Sequence, residues 1–389
     1  MMKYKLSILL LLVSILNAEI KECFLVENKT EFIGCLESEV KKSDSVKDTN
    51  FLASIYVNDK EYEKAIKLYE KSVEKGDVKA MYYLGGIYNE ALKDYDKALY
   101  WFERSYEYNY KDSSAFVAEI LSKKFNNNQE AVKNYLQKRI DANDSKAYEF
   151  LGAYEYNLKN YKKAIDYYKK AVKAYNSPQA MYAIGSIYYQ HLKDTNKGMK
   201  WLKKASKLQH PDGVYSVGFI YKDKKEYKKA IEWFNKALDL GVKGSHYAIS
   251  ECYRKMGEFD KAKEQYLKMV KEGNIKGYRE IGVMYSLYPE IKDEIKEMKW
   301  YERGIEARDG SAAAAAAVGF RDKKDYENFL KYNKIAYSLG YAGGANEIAY
   351  YYLRTVKDEK KAIEWGKRAN RLGDPMFLKF LKNIGVYDE

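Results

Sequence analysis

Along the chain, apolar positions fall into one recurring pattern of small, large and small residues on helical spacing. It is clearest at 229–237, KAIEWFNKA, where Ala230, Phe234 and Ala237 stand at a reference position, +4 and +7. Those three share one face of a helix, and their alternation of size lets them interdigitate with a partner. The phrase returns as KAIKLYEKS from Lys64, KALYWFERS from Lys97, KAIDYYKKA from Lys163, KGMKWLKKA from Lys197 and KAIEWGKRA from Lys361. The reference position recurs at Ala65, Ala98, Ala131, Ala164, Gly198, Ala230, Ala262, Glu297, Phe329 and Ala362, at spacings of 32 to 35 residues. A fixed period in this range predicts stacked helix pairs, in which no unit buries its apolar face alone.

Ahead of each phrase lies a second pattern, apolar–Gly–x–x–Tyr: LGGIY at 84–88, IGSIY at 184–188, VGFIY at 217–221 and IGVMY at 281–285. The aliphatic residue and the tyrosine share a helix face, and the glycine removes bulk so that a neighbouring helix comes close. All five tryptophans, Trp101, Trp201, Trp233, Trp300 and Trp365, stand at +3 of the phrase, a constant phase that reads as packing. Three units depart from the rule. Residues 115–129 lack the Gly and Tyr pattern and end in Asn126-Asn127-Asn128-Gln129, and the eighth unit is lengthened around Pro289, which breaks the chain between its helices. The ninth carries Ala312 to Ala317, predicting an intact but thinly packed helix. After Asp374-Pro375, a stripe of Phe377, Phe380, Leu381 and Ile384 is placed to seal the open end.

The first-helix pattern followed by Ala, an aromatic at +4 and Ala at +7 resembles the tetratricopeptide repeat. The phrase K-A-x-x-W-[FY]-x-K-A, followed in several units by Gly76, Gly241, Gly273, Gly340 or Gly373, resembles the related Sel1-like repeat, here in an exported bacterial form. The resemblance covers roughly residues 49–373 and implies an all-α, right-handed solenoid of about ten helix-turn-helix repeats. The expected organisation is a signal peptide at 1–18, an N-terminal cap at 19–48, the array at 49–373 and a capping helix at 374–389. A cysteine-rich branch of Sel1-like proteins has been associated with β-lactam binding and hydrolysis, but this chain lacks that branch's regularly spaced cysteine pairs.

Composition sharpens this picture. Four prolines in 389 residues favour helix, and 41 tyrosines supply apolar faces with polar tips. The net charge is +13, carried largely by lysine pairs such as Lys162–Lys163, Lys203–Lys204 and Lys228–Lys229 spread over every unit. That distribution reads as a solvated outer face, and without a clustered stripe no nucleic-acid partner is expected. Residues 1–18, with Lys3, Lys5 and an apolar run from Leu6 to Leu16 ahead of Asn17-Ala18, have the layout of a secretory signal peptide. Export to the periplasm or beyond is therefore expected, with a mature chain starting near Glu19 and no membrane span in it. In an oxidising compartment Cys23 and Cys35 are candidates to pair. On one straight helix they would stand about 18 Å apart, so pairing needs a turn, and Asn28-Lys29-Thr30 offers one. Cys252, inside a repeat helix, reads as a buried thiol.

For chemistry, His191, His210 and His246 lack metal-type spacing, with His246 expected on a helix surface beside Glu251. No nucleophile elbow, phosphate loop or C-x-x-C motif occurs, so no catalytic residue, metal or cofactor is expected. Asn143, within Asp141-Ala142-Asn143-Asp144-Ser145, resembles the acidic acceptor site of bacterial N-glycosylation and falls in an inter-repeat turn.

The expected function is a non-enzymatic protein–protein interaction scaffold of the cell envelope, holding a peptide or protein in a concave groove. The alternatives are a β-lactam-binding or hydrolysing protein and a secreted host-interaction factor. The repeat resemblance implies that first helices line the groove. Relative to the aliphatic residue of the first-helix pattern, positions −2, +2 and +5 share one face. They give Tyr82, Glu149, Tyr182, Tyr215, Tyr247 and Arg279 at −2, and Ser186, Tyr189, Phe219, Lys222, Glu251 and Arg254 at +2 and +5. Tyrosine and arginine are favoured anchors at interfaces, which makes this set the candidate partner-binding surface.

Overall fold

The computed structural model describes Cys23, residues 29–108, Tyr110, residues 113–372 and residues 374–387. These are helical with short turns, and no strand occurs among them. The leader proposed at 1–18, most of residues 19–28 and Asn28 of the expected turn lie outside the described residues, whereas Lys29 and Thr30, expected in that turn, open a helix. The described residues fall into two compact units, one running to Gly213 and the other starting at Val214.

After an N-terminal helix, α1 (Lys29–Ser43), ten helix pairs follow. In the N-terminal unit they are α2 (Val46–Asn58) with α3 (Tyr62–Glu74), α4 (Val78–Gly86) with α5 (Tyr95–Glu107), and α6 (Ser113–Lys124) with α7 (Gln129–Asp141). Then come α8 (Ala147–Asn157) with α9 (Tyr161–Tyr175), and α10 (Pro178–Ser186) with α11 (Thr195–Lys207). Next are α12 (Pro211–Asp223) with α13 (Tyr227–Asp239), α14 (Ser245–Lys255) with α15 (Phe259–Lys271), and α16 (Lys276–Leu287) with α17 (Glu294–Glu306). The last pairs are α18 (Gly310–Asp322) with α19 (Tyr326–Ser338), and α20 (Ala342–Tyr351) with α21 (Glu359–Arg371); α22 (Met376–Asn383) closes the chain. The fold is an all-α helical-repeat solenoid.

Within each pair the packing follows from the two sequence patterns. The pattern glycine faces the +4 residue of its own second helix. A Cβ on Gly218 would lie 2.8 Å from Phe234, one on Gly85 2.9 Å from Phe102, and one on Gly185 2.6 Å from Leu202. The missing side chain therefore sets the interhelix distance. Phe234, Phe102 and Leu202 are buried, and each full burial contributes about 1.5–3 kcal/mol.

The lysine that opens the phrase has a repeated local role. Its ammonium lies over the ring of the first-helix tyrosine and also reaches the acid three residues earlier, at the start of the second helix. Lys97 is 5.1 Å from the Tyr88 centroid and 3.5 Å from Asp94. Lys197 is 5.5 Å from Tyr188 and 2.9 Å from Asp194, and Lys229 is 5.6 Å from Tyr221 and 2.6 Å from Glu226. The same arrangement recurs at Lys64, Lys261, Lys296 and Lys361. Each contact is solvated and worth a fraction of a kcal/mol, but together they fix the corner between paired helices. The tryptophans are half-buried, and four of them are capped by the cation three residues on: Lys204 over Trp201 at 4.2 Å, Lys236 over Trp233, Arg303 over Trp300 and Arg368 over Trp365.

Differences in unit length are absorbed at the same corner. From the buried first-helix residue to the reference position the chain takes 13 residues in Leu52–Ala65, Leu151–Ala164, Val217–Ala230 and Ile249–Ala262, but 14 in Leu84–Ala98, Ile184–Gly198 and Ile348–Ala362. Those three longer units each end the first helix in a π-helical turn, at Ile87–Ala91, Ile187–His191 and Tyr352–Val356. A π turn takes up one extra residue without moving the buried face. The third unit places its extra residue in the loop instead, where Asn126 and Asn127 are both left-handed, at φ of 50° and 61°. Its reference position is accordingly Val132 and not Ala131: Val132 and Leu136 are fully buried, whereas Ala131 is half-exposed. The eighth unit takes up more length through extended Tyr288 and a 3-10 turn at Pro289–Ile291.

Three further expectations are modified. The alanine helix α18 is intact but not thinly packed: Ala312 and Ala313 are fully buried, and a Cβ on Gly310 would lie 2.9 Å from the Ala336 carbonyl, so small residues permit close approach. At the C-terminus Phe377 and Leu381 are buried with Leu378, whereas Ile384 is exposed just past the end of α22. The first pair begins at Val46, slightly ahead of residue 49. Cys23 and Cys35 are joined as a disulfide, with Cα atoms 5.6 Å apart.

Candidate functional site

In the N-terminal unit three successive first helices, α2, α4 and α6, border a cavity of about 570 Å³. Its walls are aromatic: Tyr69, Tyr82, Tyr83, Phe102 and Phe116, with Ser54, Asn58, Asn89, Glu90 and Glu119 supplying polar groups. The Tyr82 ring plane crosses that of Phe102 at 72° and that of Phe116 at 79°, at centroid distances of 5.6 and 5.2 Å. Phe102 and Phe116 are themselves stacked at 5.2 Å. Burial raises the Tyr82 phenol above its ordinary pKa, keeping it neutral. Space arises because α4 carries a second glycine: a Cβ on Gly86 would meet nothing within 4 Å. Glu90 and Glu119 share one ammonium, Lys123, at 2.9 and 2.8 Å. That bond holds the Glu90 carboxyl below its usual range.

The remaining candidate residues divide between the units. In the N-terminal unit Tyr182 is half-buried and stacked on His210 at 4.9 Å, with Ser186 and Tyr189 half-buried further along the same stretch. Glu149 corrects the expectation of an exposed groove position. It is fully buried and accepts hydrogen bonds from Tyr106, Ser177 and Tyr175, the last at 2.6 Å, and burial raises its carboxyl pKa. Polar registers on a first helix therefore need not face solvent. In the C-terminal unit Tyr215 packs on Phe234 at 5.1 Å and Tyr247 lies 6.1 Å from Tyr266, so each shows one face and buries the other. Phe219 and Tyr247 are exposed, with Lys222 4.8 Å over the Phe219 ring. Arg254 pairs with Glu251 and lies over Tyr288, while Arg279 pairs with Glu280 and reaches Ser311. Those arginines are engaged within the fold.

The histidines are joints between helices. His191 stacks on Tyr161 at 4.2 Å and bonds Tyr156 at 3.0 Å, and the His210 Nδ1 accepts from the Gly213 amide at the start of α12. His246, expected on the surface, is buried between Gln265 at 2.9 Å and Glu272 at 3.2 Å. Asn143 is exposed in the turn from α7 to α8 at φ of 65°, the left-handed position that Gly76 and Gly241 fill elsewhere. Among the described residues no cluster of side chains is suited to a metal ion, and no helix is long and apolar enough to cross a membrane.

Tetratricopeptide repeat models match residues 52–114 and 124–180, and again 212–240 and 244–271, while a Sel1 repeat model matches 178–210 and 336–374. The chain is a tetratricopeptide/Sel1-like repeat protein. Both Sel1 matches of this repeat protein fall on units with a π turn. No curated protein matches it in sequence. Among solved structures it is similar to c5321, a protective antigen of uropathogenic Escherichia coli strains displaying an SLR fold, at 17% identity over 87% of this chain and 79% of that one, TM-score 0.42. It is also similar to a Sel1 repeat protein from Oxalobacter formigenes, at 24% identity over 57% and 98%, TM-score 0.36. A third is yeast Tom70, at 16% identity over 85% of each chain, TM-score 0.40. Repeat folds of the tetratricopeptide/Sel1 kind are those of protein-interaction scaffolds.

What sequence reasoning missed was the cavity. Its signal was the doubled glycine at Gly85-Gly86, where other units carry Ser186, Phe219 or Glu251 at the second position.

Proposed function

We propose that the chain is a non-enzymatic interaction scaffold of the cell envelope, binding a peptide or protein segment in the N-terminal unit across α2, α4 and α6. The observation that carries this reading is the aromatic cavity, formed where three consecutive first helices leave an unfilled space beside Tyr82, a residue at the groove register. A concave, largely apolar wall with a few convergent polar groups is the form that binding sites take. Export follows from the leader-like residues 1–18, and the mature N-terminus is expected near Glu19.

A photo-crosslinking residue in place of Ser54, which lines the cavity, tests the binding surface in cells. A discrete crosslinked protein band that disappears with Gly86→Phe supports the reading. Crosslinks unchanged by Gly86→Phe overturn it. Mass analysis that finds Met1 retained on cytosolic protein overturns the envelope location.

A further inference from the structure

We propose that Asn143, in the turn from α7 to α8, is an acceptor for an N-linked oligosaccharide delivered from a polyprenyl-diphosphate donor. The proposal rests on the envelope reading, because such donors are consumed on the outer side of the inner membrane. Its first support is sequence. Asparagine followed at +2 by serine or threonine occurs twice in the chain, at Asn28-Lys29-Thr30 and at Asn143-Asp144-Ser145. Position −2 is Val26 in the first and the acidic Asp141 in the second, so the full acid–x–Asn–x–hydroxyl pattern occurs once. It runs from the last residue of α7 through the turn and ends before α8 begins.

The second support is the direction each residue of the pattern takes. Asp141, Ala142 and Asn143 are exposed, and Ser145 is half-exposed. Among the described residues the Asn143 carboxamide makes no hydrogen bond, so exchanging one of its N–H bonds for a sugar removes no contact of the fold. The Asp141 carboxylate accepts from Gln137 at 2.8 Å and pairs with no cation among the described residues. Asp144 between them is turned into the fold, pairing with Arg139 at 2.6 Å and accepting from the Lys146 amide at 3.1 Å. The residues that a transferase must hold and modify therefore face solvent, while the intervening one anchors the turn. An amide nitrogen is a weak nucleophile because its lone pair is delocalised into the carbonyl, so an acceptor needs flanking groups by which it is positioned. A free carboxylate at −2 offers a charge-assisted contact, and a hydroxyl at +2 offers a hydrogen bond.

The third support is a contrast within the array. The left-handed position of these turns does not itself call for asparagine: Gly76, Gly241, Gly273 and Gly340 fill it elsewhere, as do Gln209 and Arg308. Asn176, after α9, is left-handed at φ of 54° and exposed like Asn143, but Ala174 stands at its −2 position and Pro178 at +2. Turn geometry accounts for Asn176, whereas the acid and the hydroxyl around Asn143 are additional to it. In the transfer the Asn143 Nδ2 bonds to the anomeric carbon of the sugar as the carbon–oxygen bond to the diphosphate breaks. Polyprenyl diphosphate leaves with the bonding pair, and the amide gives up one proton to solvent.

The test incubates the purified, folded chain with undecaprenyl-diphosphate-linked oligosaccharide and a bacterial oligosaccharyltransferase that requires the acidic position, its activity verified on its own acceptor. Mass spectrometry of the peptides is expected to find the oligosaccharide on Asn143, with Asn176 of the same chain bare. Asn143→Gln, Asp141→Asn and Ser145→Ala each abolish the modification at unchanged helicity and melting temperature, whereas Ser145→Thr retains it. No oligosaccharide on Asn143, or transfer that survives Asp141→Asn or Ser145→Ala, overturns the inference. Equal modification of Asn143 and Asn176 overturns it as well. The purified chain bypasses export, so this result is independent of the Met1 analysis that decides the envelope location.

Discussion

Replacing Gly218 with alanine isolates what the first-helix glycine does. In an unobstructed helix this change stabilises by about 0.5–1 kcal/mol, because glycine has more backbone freedom to lose. At position 218 the added Cβ would lie 2.8 Å from two ring carbons of Phe234 and 3.2 Å from the Trp233 Cβ. Phe234 is fully buried and packed on Tyr215, so relieving the contact requires the ring to shift or α12 and α13 to separate by several tenths of an ångström. Overpacking of this kind costs about 1–3 kcal/mol. The costs exceed the propensity gain, and the expected net loss is about 1–2 kcal/mol. For a unit of this size that corresponds to a fall in Tm of about 2–8 °C. Gly86→Ala is the matched control, since its Cβ meets nothing within 4 Å and the propensity gain should appear undiminished, raising Tm by a few degrees. Circular dichroism melts at 222 nm and hydrogen exchange on α12 and α13 read both variants. A Gly218→Ala protein that melts at or above wild type refutes the account, as does a Gly86→Ala protein equally destabilised.

Two other outcomes are expected. Burial raises the Glu149 carboxyl pKa, so between its ordinary value of 4.5 and the raised folded value the native state binds more protons than the unfolded one; stability then falls as pH rises through that window, and Glu149→Gln should remove this component of the pH–stability profile. A profile for Glu149→Gln identical to wild type from pH 4 to 8 contradicts it. Thiol titration of oxidised protein should find one thiol after denaturation, from Cys252, and almost none before, because that thiol is buried and its pKa is pushed up to about 11. Three thiols after denaturation exclude the disulfide.

The fold was legible because a repeat writes the same packing problem many times. The glycine of VGFIY and the aromatic of KAIEWFNKA recur in phase, so their mutual contact, Gly218 against Phe234, follows from counting. The opening lysine was harder to read. Sequence assigns Lys97 to a solvated face, and its double engagement with Tyr88 and Asp94 depends on the corner geometry between two helices. The candidate surface was legible only in register. The −2 rule locates Tyr82 and Tyr247, but it also selects Glu149, whose carboxyl is buried where Tyr106, Tyr175 and the capping residue Ser177 converge on it. The cavity depends on an absence at Gly86, and hydrophobic periodicity does not register a missing side chain.

The corner between paired helices has a consequence for how such arrays diverge. Its spare residue is stored as a π turn in α4, α10 and α20, as two left-handed asparagines after α6, and as a longer detour at Pro289. In every case the buried stripes on either side keep their phase. A single-codon insertion or deletion there leaves the hydrophobic interior undisturbed, so the corner works as an expansion joint for the lineage. The π turn accordingly occurs in a unit matched by the tetratricopeptide model, α4 with α5, as well as in both units matched by the Sel1 model, and a single chain carries both kinds.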